Sequence, residues 1–466
     1  MGITRQADAL STASERFTAI GWVLVFVAAL HGLMFIYDYL HPAVFFNADR
    51  ALARWQTIQG LYQAWDADQL APYLAGHGIP GDYLLQGMLL AWGGKHGLIF
   101  VQVSLALLAG FSVYRIGRLL SLAAGWAALA SGVYLLLPHT LIFPHQLASE
   151  ALYSPLLTLS LWLTIEAMAS KDRYALCLGL LGAGLAGIAT LIRPVTLLWP
   201  MLPVLALLSM KRRRPAFDFA FTAFLPIVAW ASFMTWQTGD FGFGPSDHDM
   251  AHNLYQRTAR VVETLPSAEQ AEARARYLSP GEHGTLGVGA YLNFGLHYPA
   301  AFLLHSVRDS MVFFAKSGLE RIPIDYLLLN QNARTSLQDA DSGWRKRLET
   351  EGISAALSYL WRTQGAVLLL SLAGSIILLS ILCLAIFGAL RIRKMYFAQE
   401  QRAAILLLIA LPLYVFVFSQ VVDAMQSRHR APAEAALVLL AVVGARELAR
   451  RFQCGGVTAG QRLEVA

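Results

Sequence analysis

Long, nearly uncharged apolar segments recur along this chain and restrict its fold more than any other feature. A helix that crosses a bilayer needs about 20 predominantly apolar residues. The composition agrees, because 56% of the 466 residues are hydrophobic and only 14% are charged, which is not the balance of a soluble domain. We therefore predict an all-α polytopic membrane protein with about ten transmembrane helices. The segments behind this prediction are 18–40, 97–114, 122–137, 151–168, 175–192, 195–210, 217–236, 366–390, 403–419 and 433–445.

Basic residues lie in clusters between these segments and predict the topology. Cytoplasmic loops of membrane proteins carry an excess of Lys and Arg. With the N-terminus inside, every basic cluster falls on the cytoplasmic face; the clusters are 115–118, 171–173, 211–214, 391–394 and 446–451. We expect the first apolar segment to remain as a helix, because it is too long for a signal-peptide core and lacks a small-residue cleavage site. Both termini are thus expected on the cytoplasmic side of a bacterial inner membrane. The net charge of +6 then reflects topology, not a nucleic-acid partner.

The same topology divides the chain into four parts. These are an N-terminal transmembrane module (1–236) with a first external loop (41–96), an external region (237–363), C-terminal helices (364–448) and a cytoplasmic tail (449–466). In the first loop, apolar residues recur at three- and four-residue steps from Leu52 to Trp65, which predicts a helix on the membrane surface. Segment 82–94 is apolar but short. We interpret it as a juxtamembrane or re-entrant helix, since a full crossing would place cluster 211–214 outside.

A single carboxylate, Asp49, lies just outside the first apolar segment, nine residues after its end. In an arbitrary membrane protein such a group is more often a solvated helix end. Here the same loop also carries Asp66, Asp68, Lys95 and His96. This clustering of ionisable side chains favours a functional role for Asp49. Asp82, in the same loop, follows a Pro-Gly turn, where turn capping and substrate binding are about equally expected.

Further charges stand where later helices begin on the external side. His145 and Glu150 precede an apolar span, with Ser149 as a possible N-cap. Glu150 is stabilised there either by the helix dipole or by a polar cavity or partner. Arg193 runs against the positive-inside trend, so we expect it to pair with Glu150 or with a phosphate.

A denser cationic cluster precedes the last apolar span. It consists of Arg428, His429 and Arg430. Anionic lipid headgroups and a substrate phosphate are its two alternative partners. No spacing matches a dedicated metal site, so we expect no cofactor, with assistance by a divalent cation left open. The absence of a phosphate-binding Gly-rich loop argues against ATP-driven work.

An ordered set of motifs resembles the GT-C superfamily of membrane glycosyltransferases, in particular the bacterial relatives of protein O-mannosyltransferases and lipid A aminoarabinose transferases. The set starts with Asp49 and continues with GIPGDYLLQGML, ASEALYSPLL, LIRP, GFGPSDHDMAHNLY and SRHRAPAEAALVLLA. It extends from about residue 20 to residue 445. The resemblance implies a GT-C-like bundle with external juxtamembrane helices and a small external loop domain.

The resemblance also implies a reaction. A sugar is taken from a polyprenyl-phosphate carrier at the external face, the acid at the position of Asp49 serves as base toward the acceptor, and cationic groups hold the departing phosphate, as this chemistry needs. Candidates for the lipid phosphate are Lys95, Arg193, Arg428, His429 and Arg430. Candidates for the rest of the substrate are Asp82, Tyr83, His145, Glu150 and Asn253. The expected partners are a polyprenyl-phosphate-linked sugar, membrane lipids and a glycan, lipid or protein acceptor.

Two alternatives remain open at this stage. An O-antigen polymerase or ligase also uses external arginines and histidines, with a lipid diphosphate donor, but does not require a carboxylate after the first helix. A lipid-linked sugar transporter or flippase would place charges along the bilayer depth and often shows a two-fold repeat, which this sequence lacks.

Overall fold

In a computed structural model, the structure describes residues 2–47, 51–77, 80–170, 174–239, 242, 245–278, 285–319, 321–322, 347, 351–392, 399–422 and 427–463. Asp49 lies outside these ranges. Within them, all regular secondary structure is helical. The α-helices are α1 (Gly2–Leu40), α2 (Ala51–Asp66), α3 (Leu70–Gly76), α4 (Gly81–Leu119), α5 (Ala124–Leu135), α6 (Pro138–Ile142), α7 (Glu150–Ala169), α8 (Tyr174–Ile192), α9 (Met201–Ser209), α10 (Arg213–Thr238), α11 (Pro245–Val262), α12 (Ser267–Tyr277), α13 (Val288–His297), α14 (Pro299–Ala315), α15 (Ile353–Ile392), α16 (Gln399–Val422) and α17 (Ala431–Leu463). Short 3-10 helices cover Pro42–Phe46, Phe143–His145, Pro194–Thr196 and Ser427–Arg430.

The membrane character predicted from the sequence is confirmed at the level of the helices. Among the described residues, seven helical segments are long and apolar enough to cross a bilayer. They are Thr18–Leu40, Gly81–Leu119, Glu150–Ala169, Tyr174–Ile192, Arg213–Thr238, Leu369–Ile392 and Gln401–Ser419. The count rises to eight if α5 and the segment Pro138–His145, which are bent by 66° relative to each other, form one span. The other predicted spans, 195–210 and 433–445, are not among these and stay predictions, as does the total of ten.

The short apolar segment 82–94 is helical and continues into the next helix. α4 contains both, with one break at Gly94, where φ is +60° and ψ is −164°. Glycine adopts this backbone without the strain that a side chain would bring. The position of segment 82–94 relative to the bilayer stays a prediction.

The core is built around α7, whose residues are buried along nearly its whole length. α4 and α8 pack against it, and α10 packs against α8. A second close pair joins α15 and α17. Their backbones approach so closely that a Cβ atom at Gly388 would collide with the carbonyl oxygen of Leu440, and one at Gly444 with that of Leu384. Small residues at such contacts let membrane helices pack tightly.

The predicted surface helix of the first loop is α2. Its inward face buries Ile58 and Leu61 against α4, while Leu52 and Trp65 remain 62% and 66% exposed. The predicted apolar stripe therefore divides in two, with one part in the protein core and the other on the surface.

The helices expected at 266–275 and 300–316 are α12 and α14. With α11 and α13 they form a small helical cluster around Tyr277 and Phe294. An ion-paired group lies beside it, in which Asp309 Oδ2 lies 3.3 Å from Arg257 Nη2 and 3.2 Å from His305 Nδ1.

Candidate functional site

Six polar side chains from five separate parts of the chain meet at the N-terminal end of α7. We call them the arginine network; they are Arg54, Asp82, Ser149, Glu150, Arg193 and Arg428. Three guanidinium groups face two carboxylates, so the network carries one excess positive charge. Its side chains are 3% to 18% exposed.

Glu150 is the centre of this network and the first residue of α7. Its Oε1 accepts from Arg193 Nη2 at 2.7 Å, and its Oε2 accepts from the Ser149 hydroxyl at 3.1 Å. Arg428 Nε lies 3.6 Å from Oε1, longer than a hydrogen bond, so this pair acts through charge. A carboxylate in the first turn is also favoured by the helix dipole. Glu150 therefore lies at the start of a helix and also beside a cationic partner, so both alternatives predicted for it are found.

Arg193 reaches Glu150 because of the proline that follows it. Steric contact with a proline ring disfavours helical backbone in the preceding residue. Arg193 accordingly has φ −142° and ψ 114°, directly after the end of α8. The change from helix to extended backbone turns its side chain away from the α8 axis and toward α7.

Arg54 on α2 links the network to the first loop. Its guanidinium forms an ion pair with Asp82, and its Nη1 donates to the carbonyl of Leu147 at 2.9 Å. Arg54 and Arg193 also share the Ser149 hydroxyl oxygen, at 3.5 and 3.1 Å. Arg54 could not be identified from the sequence, because it lies in an amphipathic helix and its partner Asp82 is 28 residues away.

An aromatic cavity of about 430 Å³ opens between α2 and α4, and Trp55 in its lining follows Arg54 of the network directly in the sequence. Two charged groups, Asp66 and Lys95, contribute to its lining. The segment with Asp49 joins two stretches that line this cavity, since Phe46 precedes it and Trp55 follows it. The aromatic lining consists of Phe45, Phe46, Trp55, Tyr62 and Trp65.

Two tyrosines hold the wall of this cavity in place. Tyr62 donates to the carbonyl of Gly87 at 2.6 Å, and Tyr73 donates to the carbonyl of Thr57 at 2.6 Å. Burial raises the pKa of both phenols above the ordinary value. Both hydroxyls therefore stay protonated and keep donating.

His145 belongs to a separate buried group with Asp38 and His31. Its Nδ1 lies 2.5 Å from the Asp38 carboxylate and its Nε2 lies 2.8 Å from His31 Nδ1. All three residues are at most 2% exposed. Lys95 also contacts this group. Its Nζ donates to the Asp38 carbonyl at 3.3 Å and to the Pro42 carbonyl at 3.4 Å. Asp38 and His31 could have been identified from the sequence as a paired group, since ionisable side chains within a predicted span are costly unless they are paired.

Arg430 sits in a third buried group and is 1% exposed. Its guanidinium contacts Glu434 at 3.3 Å, the Lys316 carbonyl at 3.2 Å and the Phe313 carbonyl. Glu434 also pairs with His139 at 2.8 Å. These contacts connect the end of α14 to the start of α17 through Arg430, and its predicted phosphate contact stays a prediction.

The remaining predicted residues lie in different surroundings. Tyr83 is buried in the small core under α2, and His429 is buried beside Arg430. Asn253 is half-buried on α11, which packs on α12, α13, α14 and α16. Among the described residues, no group of three or more His, Cys, Asp or Glu has an arrangement that could hold a metal ion.

Comparison with known proteins leaves the family open. No protein-family model and no curated protein sequence matches this chain.

Proposed function

We propose that this protein is a glycosyltransferase that moves a sugar from a polyprenyl-phosphate carrier to an acceptor hydroxyl. The acceptor oxygen bonds to the anomeric carbon of the sugar. The bond from that carbon to the phosphate oxygen breaks, and the lipid phosphate leaves with the electron pair. Asp49 takes the proton of the acceptor hydroxyl.

The observation that carries this proposal is the excess positive charge of the arginine network. A lipid phosphomonoester gains negative charge as it leaves, and arginines already held in place stabilise such charge without further reorganisation. Arg428 is our first candidate for phosphate contact, because its Nε lies 3.6 Å from Glu150 Oε1, beyond hydrogen-bond distance. A phosphate beside it would bring the network close to neutrality.

The aromatic cavity gives this assignment a second support. Its rings match the apolar faces of a sugar or of the first prenyl units, and Lys95 supplies a cation at its wall. Arg54 and Trp55 are neighbours on α2, so one helix contributes to both the network and the cavity. The segment with Asp49 leads directly into the same helix.

Binding of polyprenyl monophosphate to the purified protein in nanodiscs tests this proposal, with polyprenyl alcohol as the ligand without a phosphate. We expect the wild type to bind the phosphate more tightly than the alcohol. Arg428→Gln should weaken phosphate binding about tenfold or more, since a hydrogen bond to a charged group contributes about 1.5–3 kcal/mol. Binding of the alcohol should not change.

Two controls make this result specific. Arg450→Gln, an exposed basic residue on α17, should leave both affinities unchanged, and Arg428→Lys should restore part of the loss. Equal binding of alcohol and phosphate by the wild type would contradict the proposal. Tighter binding of polyprenyl diphosphate than of the monophosphate would favour the polymerase or ligase alternative.

A further inference from the structure

A second large cavity, of about 440 Å³, lies near the other end of α7 from the arginine network. Its walls come from α7, α8, α9 and the start of α10. Most of this lining is apolar, with Ala167, Leu176, Leu180, Leu207 and Phe219 as examples. The cavity has no role in the proposed transfer reaction.

Four consecutive basic residues, Lys211 to Arg214, lie where α9 leads into α10, directly before the cavity-lining Pro215 in the sequence. Arg212 lines the cavity, and its Nη1 lies 3.5 Å from the carbonyl oxygen of Ala167. The other three side chains are exposed. Asp218 is the one acidic residue in the lining, so the mouth of the cavity has a clear excess of positive charge.

A hydroxyl group lies deeper in the same cavity. Thr164 is 2% exposed, and its Oγ1 has no hydrogen-bond partner among the described residues. It precedes Ala167 by three residues on α7, a rise of about 4.5 Å. From the mouth inward, the cavity therefore offers cations, then a hydroxyl donor, then apolar walls.

We infer that this cavity binds one acyl chain of an anionic phospholipid. The phosphate lies against residues 211–214, the glycerol ester lies near Thr164 and the acyl chain lies between α7 and α8. Basic pockets between membrane helices bind anionic headgroups. The volume corresponds to roughly fifteen water molecules at about 30 Å³ each, which suits a substantial length of chain.

Exposed aromatic rings at the start of α10 also support a phospholipid at this cavity. Phe217 and Phe221 are 70% and 61% exposed, and their rings stack with centroids 6.4 Å apart. Large apolar side chains exposed beside a basic segment are expected where a helix meets the membrane interface. The lipid would then enter the cavity from the bilayer.

Native mass spectrometry of the full-length protein tests this inference, with phosphatidylglycerol and phosphatidylcholine of identical chains as the probes. We expect the wild type to retain phosphatidylglycerol in preference to phosphatidylcholine. The double variant Arg213→Gln/Arg214→Gln should bind phosphatidylglycerol about 25-fold more weakly, since each charge contributes about a factor of five. Its melting temperature should stay unchanged, because both side chains are exposed.

A cavity-filling variant and a matched charge variant complete the test. At Gly179, a Cβ would meet Ala167 at an ordinary 3.6 Å, so Gly179→Leu should fill the space and remove the retained lipid. Arg450→Gln/Arg451→Gln removes two exposed charges elsewhere and should leave binding unchanged. Equal losses in the two charge variants would overturn the inference, and so would full lipid retention by a folded Gly179→Leu protein.

Discussion

Replacing Glu150 by Gln should destabilise the protein much more than the same replacement of Glu166 on the same helix. Both carboxylates lie on α7, and each pairs with an arginine at an N–O distance of 2.7 Å, Glu150 with Arg193 and Glu166 with Arg115. The pairs differ in burial. The side chains of Arg193 and Glu150 are 18% and 3% exposed, while those of Arg115 and Glu166 are 42% and 16% exposed.

The expected magnitudes follow from this difference. Removing one partner of a buried ion pair leaves an uncompensated charge and costs about 3–5 kcal/mol. Loss of Glu150 removes the carboxylate that Arg193 and Arg428 both contact, so a cost in this range is expected. A more exposed pair contributes about 0.2–1 kcal/mol, and we expect that smaller cost for Glu166→Gln.

The assay is a double-mutant cycle for each pair, with every arginine and glutamate replaced by Gln singly and together. The free energy of unfolding is measured in mixed micelles with increasing denaturing detergent. We expect a coupling energy of about 1–3 kcal/mol for the Glu150 pair and below about 0.5 kcal/mol for the Glu166 pair. Equal coupling in the two pairs would refute the reasoning that burial strengthens the Glu150–Arg193 pair relative to the more exposed Glu166–Arg115 pair.

Two further predictions concern other parts of the fold. Gly388→Ala should lower the free energy of unfolding by about 1–3 kcal/mol through the collision with Leu440, whereas Gly184→Ala, with no atom within 4 Å of its Cβ, should be neutral or stabilising in the same titration. Burial opposes ionisation of Asp309, but the hydrogen bond and charge of His305 and the charge of Arg257 hold its pKa below the ordinary value. The stability that this carboxylate adds is present above its unfolded pKa of about 4 and is lost as the pH falls through the folded value. Hydrogen exchange of α14 should therefore differ between wild type and Asp309→Asn at neutral pH, with a difference that shrinks below about pH 4; a constant difference would contradict it.

The sequence predicted those features that depend on local pattern. Apolar runs identified the membrane helices, and the steps between Leu52 and Trp65 identified α2. Arg193 was identified as a cation in need of an anionic partner, and Glu150 was one of the two partners named. Each of these inferences uses residues close in sequence or a general cost of burying charge.

Other partners that meet only after folding could not be paired from the sequence. Asp38 and His145 are 107 residues apart, and His139 and Glu434 are 295 apart. No spacing rule joins such positions, because α7 and the connection before it bring them together through packing. Arg430 illustrates the consequence, since its place in a cationic cluster predicted phosphate binding but did not predict its buried contacts with Glu434 and the Lys316 carbonyl.

The central claim is tested most directly by the release of free polyprenyl phosphate. Purified wild-type protein and Asp49→Asn are each given a panel of polyprenyl-phosphate sugars, with a cell-envelope extract as the source of acceptors. We expect sugar-dependent release by the wild type, and none by a variant that retains the same melting temperature and the same affinity for polyprenyl phosphate. Release at the wild-type rate by Asp49→Asn would refute the assignment of the base, and no release from any monophosphate donor would contradict the proposed transferase.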